Sequence, residues 1–233
     1  DLALIERRLE RLESSFKGAK PPEHQILLRE QELLIKIKTS LEKDIPIREL
    51  SLAAEEIKTM AGYQFLSAKP ILVVVNIGED QLPQAKSIET QLSARYDRPK
   101  SRVITLCGKV EMELAQLDDS SAAELRTGFG IMESGIDRVI KISYELLGLI
   151  SFFTTVSEEV RAWSIPDGTE AVKAAGKIHS DMERGFIRAE VISFDDLARC
   201  GNMVEAKKKG LIRLEGRNYI VRDGDIITFL FNV

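Results

Sequence analysis

The stretch Lys69-Pro-Ile-Leu-Val-Val-Val-Asn-Ile-Gly-Glu-Asp80 decides the fold class of this chain. Its aliphatic run, Ile71–Val75, predicts a parallel strand that is buried on both faces. The run ends in Asn76, and a polar loop that contains glycine follows. In open α/β sheets, ligands bind beyond the carboxyl ends of the strands, and an Asn amide offers a purine both a donor and an acceptor. Asn and Gly are also common turn residues, so an ordinary turn is the alternative interpretation.

Composition narrows the class of protein. The 233 residues suffice for one large or two modest domains, and no apolar run approaches the ~20 residues of a membrane span, so no membrane partner is expected. Two cysteines without metal-type spacing favour a reducing cytoplasm, and two histidines argue against a His-rich metal site. The net charge of −4 does not indicate a general nucleic-acid binder. The sequence starts at Asp1 without an initiator Met, which suggests a fragment of a longer protein.

Residues 1–69 are predicted to be helical. An apolar stripe with spacings of three and four residues opens the chain: Leu2, Ile5, Leu9, Leu12 and Phe16. A Gly/Pro break then separates it from a second helix, at about residues 23–43, which predicts an antiparallel helical hairpin. This hairpin is either a partner-binding arm or a plain helical subdomain. A third helix is expected at about residues 51–67, with Ser51 as its N-cap.

Residues 70–148 alternate between strand and helix patterns. A second strand is predicted at residues 102–107, and a helix with an apolar, buried face at residues 135–148. This order predicts half of a doubly wound α/β sheet. Residues 149–233 favour a small β-grasp domain with short helices at residues 171–176 and 195–199 and the following strands: 150–154, 160–165, 186–192, 219–221 and 226–231.

Long strings within the last third carry a family resemblance. They are Glu159-Val-Arg-Ala-Trp163, Ile165-Pro166, Ala174-Ala-Gly-Lys-Ile-His-Ser-Asp-Met-Glu-Arg-Gly-Phe-Ile-Arg-Ala-Glu-Val-Ile192, and Asp223-Gly-Asp225 with the closing Phe229-Leu-Phe-Asn-Val233. With these strings the chain resembles the C-terminal part of the YchF/Obg-like ATPases, a branch of the Obg-related P-loop NTPases. The similarity extends upstream through Asn76-Ile-Gly-Glu79 to the opening helix.

The resemblance implies an architecture in three parts. Residues 1–69 would be the family's helical, coiled-coil-like insertion, and residues 70–148 the C-terminal half of its nucleotide-binding domain. Residues 149–233 would be a TGS domain, a ubiquitin-like β-grasp module. The phosphate-binding loop, the switch regions and the Mg²⁺-binding residues would lie upstream of Asp1, since no G-x-x-x-x-G-K-[ST] pattern occurs in the chain. We therefore name no catalytic residue and expect the chain alone to be inactive as an ATPase or GTPase.

The base-recognition loop departs from the Asn-Lys-x-Asp pattern of GTPases. The chain has Asn76-Ile-Gly-Glu79, and losing the short Asp removes a two-point contact with guanine, about 1–3 kcal/mol by analogy with base readout. In the resembling family this change accompanies a preference for ATP over GTP. By resemblance, the nucleotide contacts would be Asn76 at the adenine edge, Ile77 through its backbone, Glu79, and Gly108, whose backbone N–H would meet the base.

The resemblance to TGS domains implies a ribosome or RNA partner. The residues that would contact phosphates are Lys177, Arg184, Arg188, Lys207, Lys208 and Lys209. Residues 149–233 have 12 basic and 13 acidic side chains, so the module has no net attraction for RNA. Three functions stay open: part of a translation-associated ATPase, a nucleotide-independent ribosome- or RNA-binding module, and a protein-interaction scaffold. A monomer is expected.

Overall fold

The computed structural model describes residues 1–96, 98–156 and 159–232, which form two compact units, Asp1–Gly135 and Ile136–Val233. The strands of the first unit are β1 (Ile71–Asn76) and β2 (Ser101–Leu106). Its helices, the last of which runs on into the second unit, are α1 (Leu2–Phe16), α2 (Pro21–Leu41), α3 (Ala54–Ala61), α4 (Ala85–Tyr96), α5 (Gly108–Leu114), α6 (Asp119–Gly128) and α7 (Gly135–Leu147). Short 3-10 helices are Ile47–Glu49, Leu66–Ala68 and Glu79–Gln84.

Helices α1 and α2 form the expected antiparallel hairpin. Its direction follows from three pairs of contacts, in which residue numbers rise along α1 as they fall along α2: Glu6 with Lys38, Arg8 with Glu30, and Phe16 with His24. Between the helices lie the fully buried Ile5, Leu12, Leu34 and Ile37. Apolar burial along this seam holds the hairpin together, because most of the stability of a helix in a protein comes from the packing of its apolar face.

The predicted start of the third helix is wrong. Helix α3 begins at Ala54, three residues after the expected cap at Ser51. Its N-cap is Ala53, whose backbone N–H donates to the Glu56 carboxylate at 2.7 Å. The Glu at the third helical position therefore satisfies the terminus without any hydroxyl cap. The helix also ends at Ala61, well before residue 67.

Strands β1 and β2 pair in parallel, from Ile71 opposite Ser101 to Asn76 opposite Leu106. The expectation that β1 is buried on both faces is wrong, since Ile71, Val73 and Val74 are 41–44 % exposed. Among the described residues β1 pairs with β2 alone, so no strand pairs with its other edge there. β-Branched side chains determine that the segment is extended, whereas its burial depends on what packs around it.

Half of the apolar residues expected to be buried on α7 are also exposed. Ile136 is 70 %, Ile140 54 % and Leu147 57 % accessible to solvent. The helix starts at the predicted residue and ends one residue before the predicted end, so the helix itself is confirmed. The pattern gives the side of the helix that prefers burial and does not supply the surface that covers it.

The second unit contains a five-stranded sheet in the order β4-β3-β7-β5-β6. Its strands are β3 (Leu149–Val156), β4 (Glu159–Pro166), β5 (Phe186–Ser193), β6 (Arg213–Glu215) and β7 (Asp225–Phe231). Among the strand pairs of the described residues in this sheet, only the central β3–β7 pair is parallel. Helix α8 (Ala171–Ile178) contributes to the main core of the sheet, and the other helices are α9 (Ser180–Arg184), α10 (Phe194–Cys200) and α11 (Met203–Lys208). The strand order and the single parallel pair confirm the β-grasp prediction.

Two details of the β-grasp prediction need correction. Residues 219–221 do not form a strand, because Ile220 makes only an isolated bridge with Glu170. Their place in the sheet is taken by the three-residue β6, which the sequence did not reveal. Helix α11 was also missed, and it contains the first two lysines of the Lys207–Lys209 run. No helix among the described residues is long and apolar enough to cross a membrane.

Candidate nucleotide-base site

The candidate site lies at the carboxyl edge of β1 and β2. Because the two parallel strands end in register, the loop after Asn76 lies beside the loop that starts at Cys107. Gly108 N–H donates a hydrogen bond to Asn76 Oδ1 at 2.9 Å, and Asn76 is exposed to solvent. Asn76 Nδ2 has no hydrogen-bond partner within the described part of the chain. The structure therefore brings Asn76 and Gly108 together and leaves the two N–H donors of Asn76 for a ligand.

Gly108 permits this close approach. A Cβ atom at position 108 would lie 3.3 Å from Asn76 Oδ1, which is tighter than ordinary van der Waals contact. The N–H that the family resemblance assigns to the base is donated to Asn76 in this structure. Gly108 therefore acts here by orienting the Asn76 amide, since the bonded oxygen fixes which end of the amide faces outward.

Ile77 contributes its backbone rather than its side chain. The side chain is 6 % exposed and packs in a small core with Cys107, Val110 and Leu114. Ile77 N–H donates to Leu106 O at 2.9 Å. A backbone contact between Ile77 and a base would therefore use the Ile77 carbonyl.

Glu79 is held by a residue that the sequence did not include among the base contacts. Its Oε1 lies 2.6 Å from Lys109 Nζ, which joins the loop after β1 to the loop after β2. The Glu79 carboxylate raises the pKa of the Lys109 ammonium above its ordinary value. The sequence signal was present, because Lys109 directly follows Gly108, but the reach of Lys109 across to Glu79 is a property of the paired strands.

The described residues contain no cluster of three or more His, Cys, Asp or Glu side chains that could hold a metal ion. We therefore assign Mg²⁺ to none of the described residues.

The six basic residues proposed to contact RNA differ in whether they form ion pairs. Arg184 contacts Asp181, and Lys208 lies 2.8 Å from Glu205. The remaining four cations are exposed and have no ion pair within the described residues: Lys177, Arg188, Lys207 and Lys209. Lys207 and Lys208 lie in the last turn of α11, where cations also stabilise the helix terminus, so their presence has a structural reason as well.

Comparisons with known proteins show which proteins this chain is similar to. A family model described as YchF-GTPase_C, a protein of unknown function (DUF933), matches residues 149–232. The chain is 40 % identical to the ribosome-binding ATPase YchF of Bacillus subtilis and 39 % identical to that of Escherichia coli O157:H7. Both alignments cover 100 % of this chain and 63 % of the relative.

The fold agrees with these matches. The solved structure of the Schizosaccharomyces pombe YchF GTPase superposes with a TM-score of 0.84 at 28 % identity, over 99 % of this chain and 62 % of that one. The chain spans about 63 % of the length of the curated relatives it matches. Along that whole span the chain is similar to YchF proteins, and residues 149–232 match the model of that family's C-terminal region.

Proposed function

We propose that this chain carries the base-recognition edge and a TGS-type domain of a YchF-type ATPase that acts with ribosomes in the cytoplasm. The single observation that carries the nucleotide part is the solvent-exposed Asn76 amide, oriented by Gly108 N–H at 2.9 Å. The relatives' name, ribosome-binding ATPase YchF, supports the ribosomal part. In this proposal residues 1–69 are a helical insertion and residues 70–148 the second half of the nucleotide-binding domain.

The chemistry at the base follows from the orientation of the amide. With Oδ1 accepting from Gly108, Asn76 presents Nδ2 as a donor. Both purines offer an N7 acceptor, so this contact binds a purine and does not separate adenine from guanine. Discrimination between ATP and GTP must then arise at Glu79, whose side chain is one methylene longer than the Asp of GTPases. Contacts with phosphate and Mg²⁺ are not assigned to any residue of this chain.

The test measures nucleotide affinity in the full-length product of the gene. Displacement of a fluorescent ATP analogue by ATP is compared between the wild type, Asn76→Ala and the control Gln91→Ala, which changes an exposed amide on α4. Loss of one hydrogen bond to the base weakens ATP binding about five- to ten-fold in Asn76→Ala. Equal affinities of all three proteins would refute the base-site assignment.

A second candidate function is ribosome or RNA binding that does not need the nucleotide. The exposed cations without ion pairs in the second unit favour it: Lys177, Arg188, Lys207 and Lys209. In ribosome co-sedimentation without nucleotide, replacing these four by Ala weakens binding and flattens its salt dependence. The matched control replaces Lys17, Lys20, Lys43 and Lys86, four exposed cations of the first unit that have no ion pair among the described residues. Binding that is unchanged by the first set, or weakened equally by both, would contradict this function.

A further inference from the structure

The ion pair between Glu79 and Lys109 bears directly on base choice. Glu79 Oε1 and Lys109 Nζ are 2.6 Å apart, and the pair crosses from the loop after β1 to the loop after β2. The neighbouring residues, Asn76 and Gly108, are joined across the same gap. The two connections thus bring a purine-binding amide and the Glu79 carboxylate to one edge of the sheet.

A free carboxylate at this edge favours guanine. Guanine offers two adjacent donors, N1–H and the exocyclic N2 amine, which a carboxylate can accept together. Adenine offers a single exocyclic amine flanked by the acceptors N1 and N7, which repel a carboxylate. A carboxylate that an ammonium already occupies loses much of this advantage, because its negative charge is neutralised locally and one oxygen is engaged.

We propose that Lys109 is a specificity-determining residue, which holds the Glu79 carboxylate and so disfavours guanine nucleotides at the Asn76 site. This role rests on the proposed nucleotide-binding function. The side chains are 66 % exposed for Lys109 and 38 % for Glu79. An exposed pair contributes little to folding, so removing it changes the ligand preference and leaves the fold intact.

A second carboxylate provides an internal control. Glu113 lies one turn after Lys109 on α5 and also raises the pKa of the Lys109 ammonium, though less than Glu79 does. If Lys109 acted only through the general charge of the region, removing either carboxylate would have a similar effect. If it acts by holding Glu79, only the Glu79 pair matters.

The experiment measures the dissociation constants of ATP and GTP for the full-length gene product by isothermal titration calorimetry. Lys109→Met raises the ratio of GTP to ATP affinity by about five-fold, the upper range for an exposed ion pair. Lys109→Arg, which keeps the cation, and Glu113→Gln leave the ratio unchanged. The double change Lys109→Met with Glu79→Gln returns the ratio to the wild-type value, because the freed carboxylate is gone.

The outcomes separate this inference from the proposed function. If the wild type binds neither nucleotide, or binds both with no response to Asn76→Ala, the proposed function fails and this inference fails with it. If Asn76→Ala weakens binding while Lys109→Met leaves the ratio unchanged, the base site stands and the role of Lys109 is refuted. A ratio that rises equally in Lys109→Met and in the double variant also refutes it, since the gain would then not come from Glu79.

Discussion

Replacing Glu30 by Gln tests what holds the helical hairpin to the rest of the first unit. Glu30 is 9 % exposed on α2 and accepts hydrogen bonds from Arg8 Nε and Nη2, each at 2.8 Å. The hydroxyl of Tyr63, which follows α3, donates to the same carboxylate. One carboxylate therefore connects α1, α2 and the segment after α3. In Glu30→Gln the new amide nitrogen cannot accept, so one Arg8 N–H faces another donor.

The expected loss of unfolding free energy follows from the number of these hydrogen bonds and from the solvent exposure of the side chains that make them. A hydrogen bond to a charged group contributes about 1.5–3 kcal/mol, and a buried polar group left without a partner loses a similar amount. The Arg8 side chain is 34 % exposed, so water can solvate part of the guanidinium in the variant. We therefore expect the free energy of unfolding to fall by about 2 kcal/mol, in the lower part of that range.

The stabilisation that Glu30 provides is lost as the pH falls. Hydrogen bonds from Arg8 lower the pKa of the Glu30 carboxyl below its ordinary value. A lowered pKa stabilises the fold fully above the unfolded pKa, about 4.3, and the stabilisation is lost as the pH falls through the folded value. The difference between the wild type and Glu30→Gln should thus be largest near neutral pH and shrink below about pH 4. Burial raises the pKa of Tyr63 to about 12, so its contribution is lost only as the pH rises from about 10 through that value.

Urea unfolding followed by far-ultraviolet circular dichroism measures the change. The matched control is Glu55→Gln, which removes an ion pair with Lys58 whose side chains are 85 % and 75 % exposed. The control should leave the unfolding midpoint unchanged, since exposed pairs contribute little. Glu30→Gln with a midpoint equal to that of the control at pH 7, or with a difference that persists unchanged at pH 3, would refute the reasoning.

Three further changes have defined outcomes. Tyr219→Phe removes a 2.7 Å hydrogen bond to the buried Asp225 and should cost about 1–3 kcal/mol, measured by the fluorescence of the single tryptophan in urea; no change would contradict that role. Gly185→Ala places a Cβ 2.1 Å from the Asn232 carbonyl oxygen and should destabilise the unit by about 1–3 kcal/mol in the same assay, whereas a neutral result would show that the strand end can shift. Asp118→Ala removes the cap of α6 and should lower the melting temperature most near pH 7 and progressively less as the pH falls below about 4, because hydrogen bonds from Ser121 and Ser120 lower the pKa of Asp118; an effect that grows as the pH falls would oppose this.

Local sequence patterns predicted the helices and strands more accurately than the burial of their side chains. The aliphatic run of β1, the stripe of α1 and the strand pair β3–β4 all follow from periodicity and residue type. The exposure of Val73 and of Ile136 does not, because burial requires a covering surface that a single segment cannot specify. Segments with weak patterns also escaped prediction, namely the three residues of β6 and the charged helix α11.

The sequence predicted which residues lie at the candidate site but not the contacts between them. Asn76 at the end of an aliphatic strand and Gly108 after the next strand could be named from spacing and resemblance. The hydrogen bond from Gly108 to Asn76 and the ion pair from Lys109 to Glu79 arise only when the strands pair in register. Residues 32 and 30 positions apart in sequence meet there, and no local pattern encodes such a pairing.

The most direct test of base recognition is an NMR titration of the 233-residue chain that observes the Asn76 side-chain amide and the Gly108 backbone amide. Millimolar ATP is compared with ribose triphosphate, which lacks a base. The account predicts that ATP shifts both resonances and that ribose triphosphate shifts neither. Resonances of Asn76 and Gly108 that stay unchanged at saturating ATP, or that move equally with ribose triphosphate, would contradict it.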